Sequence, residues 1–209
     1  MITNDASTAI RVAVLGEWVP SQLADVLALQ RAEEPETATA LIECAIAAPA
    51  TSELPHDGFD FALSPTELTW PGWACEPLWH DTLAVAVAKR SHLLAYREVP
   101  CCELRKQSLI YAQSSANEPW QVLVHRLIGD ASTAHEQEVN TFDMAMTLVA
   151  AGYGITIAPA ARLAGYECRG IAVRPIAGAS PFVVAYLLHT CAALTEPQER
   201  FARRARSVP

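Results

Sequence analysis

The stretch Met146–Ala160, MTLVAAGYGITIAPA, restricts the fold more than any other part of the chain. A run of Leu, Val and Ala with the spacing of a buried helix meets Gly152 and Gly154, becomes Ile155-x-Ile157, and stops at Pro159. A helix that reverses at once into a buried strand needs a residue at positive φ at its end, which glycine supplies without a Cβ penalty. Gly152 is therefore expected to stop the helix, and Gly154 to let the backbone approach its neighbours. A dinucleotide-binding phosphate loop has the opposite order, strand before glycines before helix, so this pair does not mark a nucleotide site.

The flanking segments read as an alternation of strands and helices. Arg11–Leu15 is a short apolar strand ending at Gly16. Pro20 opens a helix to about Glu34, with Leu23, Val26, Leu27 and Gln30 on one face, and Pro35 closes it. Thr37–Cys44 and Phe59–Ser64 are the next strands, with a weak helix expected over Ala47–Pro55. Asp81–Lys89 and Ser108–Gln113 follow as strands, and Pro119 suits the first turn of a helix. Gly170–Ile176 and Phe182–His189 are late strands, and Pro197 starts a final amphipathic helix. This order predicts an α/β protein with parallel strands. At 209 residues the chain suits one large domain or two small lobes.

Composition then excludes several functions. No run approaches the roughly 18–20 apolar residues that cross a bilayer, and MITNDASTAI lacks the basic and apolar regions of a signal peptide, so a cytoplasmic location without membrane contact is expected. Without export, Cys44, Cys75, Cys101, Cys102, Cys168 and Cys191 are expected as thiols, and no CxxC pair suggests a metal. Residues 1–60 carry ten acidic side chains against Arg11 and Arg31. The C-terminal RFARRARS is too small a basic footprint for DNA and reads as a solvated helix end. Cys44, Cys101, His80, His92 and Asp81 would be the candidates of an enzyme, but no nucleophile elbow, HExxH or P-loop accompanies them, so no catalysis is expected.

EVNTFDMAMTLVAAGYGITIAPAA resembles the signature of the effector-binding domain of LysR-type transcriptional regulators, in which a helix ending LVAAGxG leads to a strand ending at proline. FDFALS, PLWHDTLAVAVAKRSHLLA and SLIYAQSS resemble three further landmarks of that family, in the same order, so the resemblance spans about residues 10–205. It implies a type II periplasmic-binding-protein fold: two Rossmann-like α/β lobes joined by two crossover strands, with a small-molecule cleft between them. Lobe one would be residues 10–84 plus 181–209, and lobe two residues 85–180. The crossovers would be LAVAV and the region from VRPI to FVVAY. The family's N-terminal helix-turn-helix lies outside this chain, which is expected to be a fragment or else a stand-alone sensor; DNA would be contacted only through that domain.

Ligands of such sheets sit beyond the carboxyl ends of the strands. The expected contacts are Glu17 and Trp18 after the first strand, Ser64 after FDFAL, Gln113, Ser114 and Ser115 after SLIYA, and Thr141 as the N-cap of the FDMAM helix. Relatives that sense acids from aromatic degradation often place a hydroxyl at Gly16–Glu17, a Thr near Ile46 and an Arg near Pro65; their absence here speaks against a small dicarboxylate effector. An acidic Glu17 disfavours an anion and favours a neutral or cationic ligand, with Trp18 and Tyr111 as flat walls. The resemblance also implies a homodimer or higher oligomer, using Leu23, Val26 and Leu27 against Trp120, Leu123 and Leu127. No cofactor or metal is expected. A solute-binding protein of the same fold is the alternative reading, and a small enzyme the more distant one.

Overall fold

The computed structural model describes residues 9–44, 58–113, 119–129, 136–178 and 181–209. The expected helix over Ala47–Pro55 lies outside them. In chain order the elements are β1 (Ile10–Leu15), α1 (Gln22–Glu33), β2 (Thr39–Cys44), β3 (Phe61–Ser64), β4 (Trp73–Ala88), α2 (Cys101–Leu104), β5 (Leu109–Ala112), α3 (Pro119–Ile128), β6 (Glu136–Val139), α4 (Phe142–Ala151), β7 (Thr156–Pro159), α5 (Ala160–Ala164), β8 (Ile171–Pro175), β9 (Phe182–Thr190) and α6 (Glu196–Ser207), with short 3-10 turns at His92–Ala95 and Glu167–Arg169. They form two compact units, residues 1–79 with 184–209 and residues 80–183. The chain changes unit inside β4 and again inside β9. The first change follows Trp79, ahead of the LAVAV segment, and the second follows Val183, within the stretch from VRPI to FVVAY, so β8 lies wholly in the second unit.

In the first unit β1 lies between two parallel neighbours, β2 from Ile10↔Thr39 to Leu15↔Cys44 and β3 from Val12↔Phe61 to Val14↔Leu63. β9 pairs antiparallel with β3 from Phe61↔His189 to Ser64↔Tyr186. Val12, Ala13, Phe61 and Ala62 are fully buried, as unbroken apolar strands covered on both faces should be. The edge strand β2 leaves Leu41 half-exposed. α1 buries Leu23, Val26 and Gln30. Buried Gln30 accepts a hydrogen bond through Oε1 from Arg204 Nη1 at 2.6 Å.

That contact belongs to a network that changes the reading of the C-terminal arginines. Arg204 is buried and also donates to Glu33 and Glu34; Arg200 binds Glu34 and Glu196, and Arg206 binds Glu76. The expected solvated helix end is instead the seam between α6 and α1, while Arg203 remains exposed. The acidic excess of residues 1–60 thus has part of its counter-charge inside the fold.

In the second unit, Leu83–Ala86 of β4 pair antiparallel with β7, and Ala84–Ala88 with β8. β4 begins at Trp73, eight residues before the expected Asp81. Its first half contains Pro77 and is mostly half-exposed, so it lacks the continuous apolar run by which a buried strand is recognised. β5 and β6 are parallel, from Leu109↔Glu136 to Ala112↔Val139. The core gathers Ile110, Phe142, Ala145, Met146, Val149, Ala158, Leu163 and Ile171.

The two glycines of the opening motif have different work. Gly152 ends α4 at φ 87°, and the amides of Gly152 and Tyr153 close the helix on Val149 and Leu148 carbonyls. Gly154 is close to β5: the amides of Ile110 and Ile155 bond the carbonyls of Ile155 and Ser108 at 2.8 and 2.9 Å, and a Cβ on Gly154 would stand 2.3 Å from Ser108 O. At Gly152 the nearest atoms to such a Cβ are 3.7 Å away.

Gly154→Ala should therefore be the worse substitution, although only Gly152 has the left-handed conformation. In urea unfolding, Gly152→Ala is expected to cost about 1 kcal/mol, and Gly154→Ala about 3 kcal/mol because backbone must move. The α1–α6 seam gives a pH signature. Hydrogen bonds from Arg200, then Arg204, hold the Glu34 carboxyl at about 2 against an ordinary 4.5. A lowered folded pKa means that this stabilisation is complete above pH 4.5 and is lost as pH falls toward 2. Glu34→Gln should cost about 1–2 kcal/mol at neutral pH and flatten the acid limb of a stability–pH profile between those values.

Candidate ligand-binding site

Each unit ends its parallel strands in a polar rim. In the first, β1 terminates at Gly16, whose φ of 88° turns the chain away while its amide bonds Cys44 O at 3.1 Å. Glu17 follows, exposed, then Trp18, buried to 4% exposure, and exposed Val19 leads to Pro20 and α1. Ser64 ends the neighbouring strand β3, so β1–β3 pairing sets the Gly16–Trp18 loop and Ser64 at the same end of this sheet. Trp18 is a buried foundation for the rim, not the open flat wall expected of it.

Ser64 is buried at 2%, and its hydroxyl is engaged on both sides. It donates to Thr66 O at 2.7 Å and accepts from Thr66 N at 3.1 Å, with Thr66 Oγ1 3.4 Å away. This turn builds the loop after β3 and makes Thr66 the hydroxyl nearer to solvent, a residue the strand-end reasoning passed over. A serine followed two residues later by a threonine is the local signal for such a turn.

In the second unit, the Ala112↔Val139 register brings the ends of β5 and β6 together. Gln113 is exposed directly after β5. Ser114 and Ser115 lie outside the described residues. Thr141 caps α4 as expected, Oγ1 accepting from Met144 N at 3.3 Å while the side chain stays exposed. Tyr111 is half-buried, and burial, followed by the carboxylates of Glu136 and Glu138, pushes its phenol upward, so it is a proton donor at neutral pH.

Asp81, an enzyme candidate by residue type, has a structural task. Its Oδ2 accepts Ala161 N at 3.0 Å, fastening β4 to the start of α5, while burial raises its pKa against the backbone amides that lower it. His80 beside it lies tilted against Phe182, centroids 6.0 Å apart at 58°. None of the six cysteines is in a disulfide. Among the described residues no group of three or more His, Cys, Asp and Glu is arranged to hold a metal ion, and no helix is long and apolar enough to cross a membrane.

The residues expected at a dimer contact divide by burial. Leu23, Val26 and Trp120 face their own cores, at 2%, 0% and 1% exposure. Leu27, Leu123 and Leu127 are half-buried. The exposed large apolar side chains of these helices are Leu29 on α1 and Val122 on α3, which a 3.6-residue pattern of core positions does not reveal.

The family comparison addresses the whole chain. The family described as LysR substrate binding domain matches residues 3–208. No curated protein sequence matches. Solved structures of the same fold include the BenM effector-binding domain with its effector benzoate, at 21% identity and TM-score 0.81, covering 96% of this chain and 91% of that one. The reduced form of OxyR from N. meningitidis has 17% identity and TM-score 0.75, covering 96% and 95%. Full-length CbnR complexed with its target DNA has 18% identity and TM-score 0.76, covering 95% of this chain and 70% of that one. With its family match over nearly all 209 residues and a fold shared with these regulators, the chain belongs to the LysR substrate-binding domain family.

Proposed function

We propose that this chain senses a small-molecule effector lodged between its two units and passes the resulting change to a helix-turn-helix DNA-binding domain. The observation that carries this reading is the double passage of the chain through unbroken strands, β4 and β9, between two separately cored units. Such a connection permits a change of angle without loss of either core, and a ligand that touches both units favours one angle. Family membership supports a binding role over a catalytic one, and the enzyme candidates add nothing against it: Asp81 fastens α5, and His80 lies against Phe182. We take the location to be cytoplasmic, as a DNA-directed function requires.

The effector is proposed to be neutral or cationic and to include a flat group. Glu17 brings a carboxylate to the first rim, and Tyr111 stands among Glu136 and Glu138 on the second unit. Gln113 and Thr141 supply polar contacts, while Ser64 supports the loop from beneath. A negative rim adds repulsion for a dicarboxylate and attraction for an ammonium group. A compound panel screened by thermal shift should yield ligands of the second kind. Calorimetry on Glu17→Gln should then show about tenfold weaker binding of a cationic hit, about 1.4 kcal/mol. Tight binding of a dicarboxylate, unchanged by Glu17→Gln, would contradict this reading.

The domain is further proposed to self-associate side by side, through the exposed side of α1 with the β2 edge against α3 of a second copy. Leu29, Leu41 and Val122 are the exposed apolar anchors, with Leu27, Leu123 and Leu127 at their margins. Sedimentation velocity should give a dimer, and Val122→Glu should shift it to monomer without lowering Tm. A monomer for the unmodified chain at tens of micromolar would remove the proposal.

A further inference from the structure

The charge of this chain is divided unevenly between its two units. Residues 1–79 with 184–209 hold fourteen acidic and six basic side chains, whereas residues 80–183 hold nine of each. The whole formal charge of −8 therefore belongs to the first unit, and the second is neutral. The α1–α6 seam engages Arg200 and Arg204 internally, so they do not offset the carboxylates of the outer surface.

The same division is repeated on the two helices that carry exposed apolar side chains. On α1, Asp25, Leu29 and Glu33 follow one another at four-residue spacing and form one exposed stripe. Arg31, the only cation of α1, stands two residues from Leu29 and so faces another side. On the edge strand β2, exposed Glu43 shares a face with Leu41. On α3, exposed Val122 is followed four residues later by exposed Arg126, and the helix contains no acidic residue. Arg105 Nη2 donates to Leu127 O at 3.2 Å, which brings a second exposed cation to this end of α3.

We infer that this division of charge sets the direction of the self-association proposed above and makes it dependent on ionic strength. The inference rests on that reading of the dimer. When α1 of one copy meets α3 of the other, an acidic stripe lies against a basic one, and a two-fold pair makes the contact twice. Leu29 and Val122 sit within those stripes, so apolar and charged contacts close together. Turning one copy round places α1 against α1, with two acidic first units face to face. Apolar burial has no direction, and by it alone Leu29 meets a second Leu29 as readily as it meets Val122. Like charge supplies the repulsion that rejects the wrong arrangement.

Sedimentation velocity of the unmodified chain in about 50 mM and about 500 mM NaCl reads the salt dependence. The dimer Kd should rise at least about tenfold over that range, whereas an association held by apolar contact alone would not weaken. Charge reversal reads the direction. Asp25→Lys and Arg126→Glu, both at exposed positions, should each weaken self-association at least about tenfold without lowering Tm. An equimolar mixture of the two variants should return to within about threefold of the unmodified affinity. Each mixed pair keeps one original contact and gains one with both signs exchanged. The inference is overturned by a dimer indifferent to salt, by reversals that leave its affinity unchanged, or by a mixture no stronger than either variant alone. A chain that is monomeric at both salt concentrations removes the dimer reading itself, and this inference with it.

Discussion

The constraint on which the rest of this structure depends is that the chain joins its two cores through strands. β9 pairs with β3 in the first unit and β4 with β7 in the second, and each strand runs unbroken across the unit boundary, so neither crossing is a loose linker. The anchoring around the first crossing is close. Trp79 Nε1 donates to Ala205 O and Val208 O, both at 3.2 Å, within the first unit. Two residues later Asp81 holds the amide of Ala161 in the second.

The charge of the chain has its meaning in the same frame. A net charge of −8 with an arginine-rich end suggests, on composition alone, separate acidic and basic surfaces. The structure spends much of that opposition internally, at the α1–α6 seam, where Arg200 and Arg204 bind Glu33 and Glu34. A buried arginine with several carboxylate and amide acceptors fixes geometry more than it adds free energy. The seam thereby sets α1, and with it the loop from Gly16 to Pro20 at the head of that helix.

Much of the fold was legible because its signals are local. The glycine pair predicted both a left-handed helix stop and a close backbone approach, and Gly152 and Gly154 supply them separately. The apolar runs of β1, β5 and β7 and the cap at Thr141 were read for the same reason. What escaped depends on distant partners. The first half of β4 is a strand because of its neighbours, not its own pattern. Arg204 is buried because Gln30, Glu33 and Glu34, some 170 residues earlier, surround it. At the rim, Glu17 and Gln113 are exposed as a ligand contact requires, but Trp18 and Ser64 are buried. Sequence position marks the end of a strand; it does not state which side chain the loop then folds beneath.

The central claim, one effector held by both units, is tested most directly by hydrogen-exchange mass spectrometry of the chain with a compound that raises its Tm. The account predicts protection at the rims of both units together, over residues 16–19 and 64–66 of the first and 111–113 and 140–143 of the second. Protection confined to one unit, with the other exchanging as it does without the compound, would contradict it.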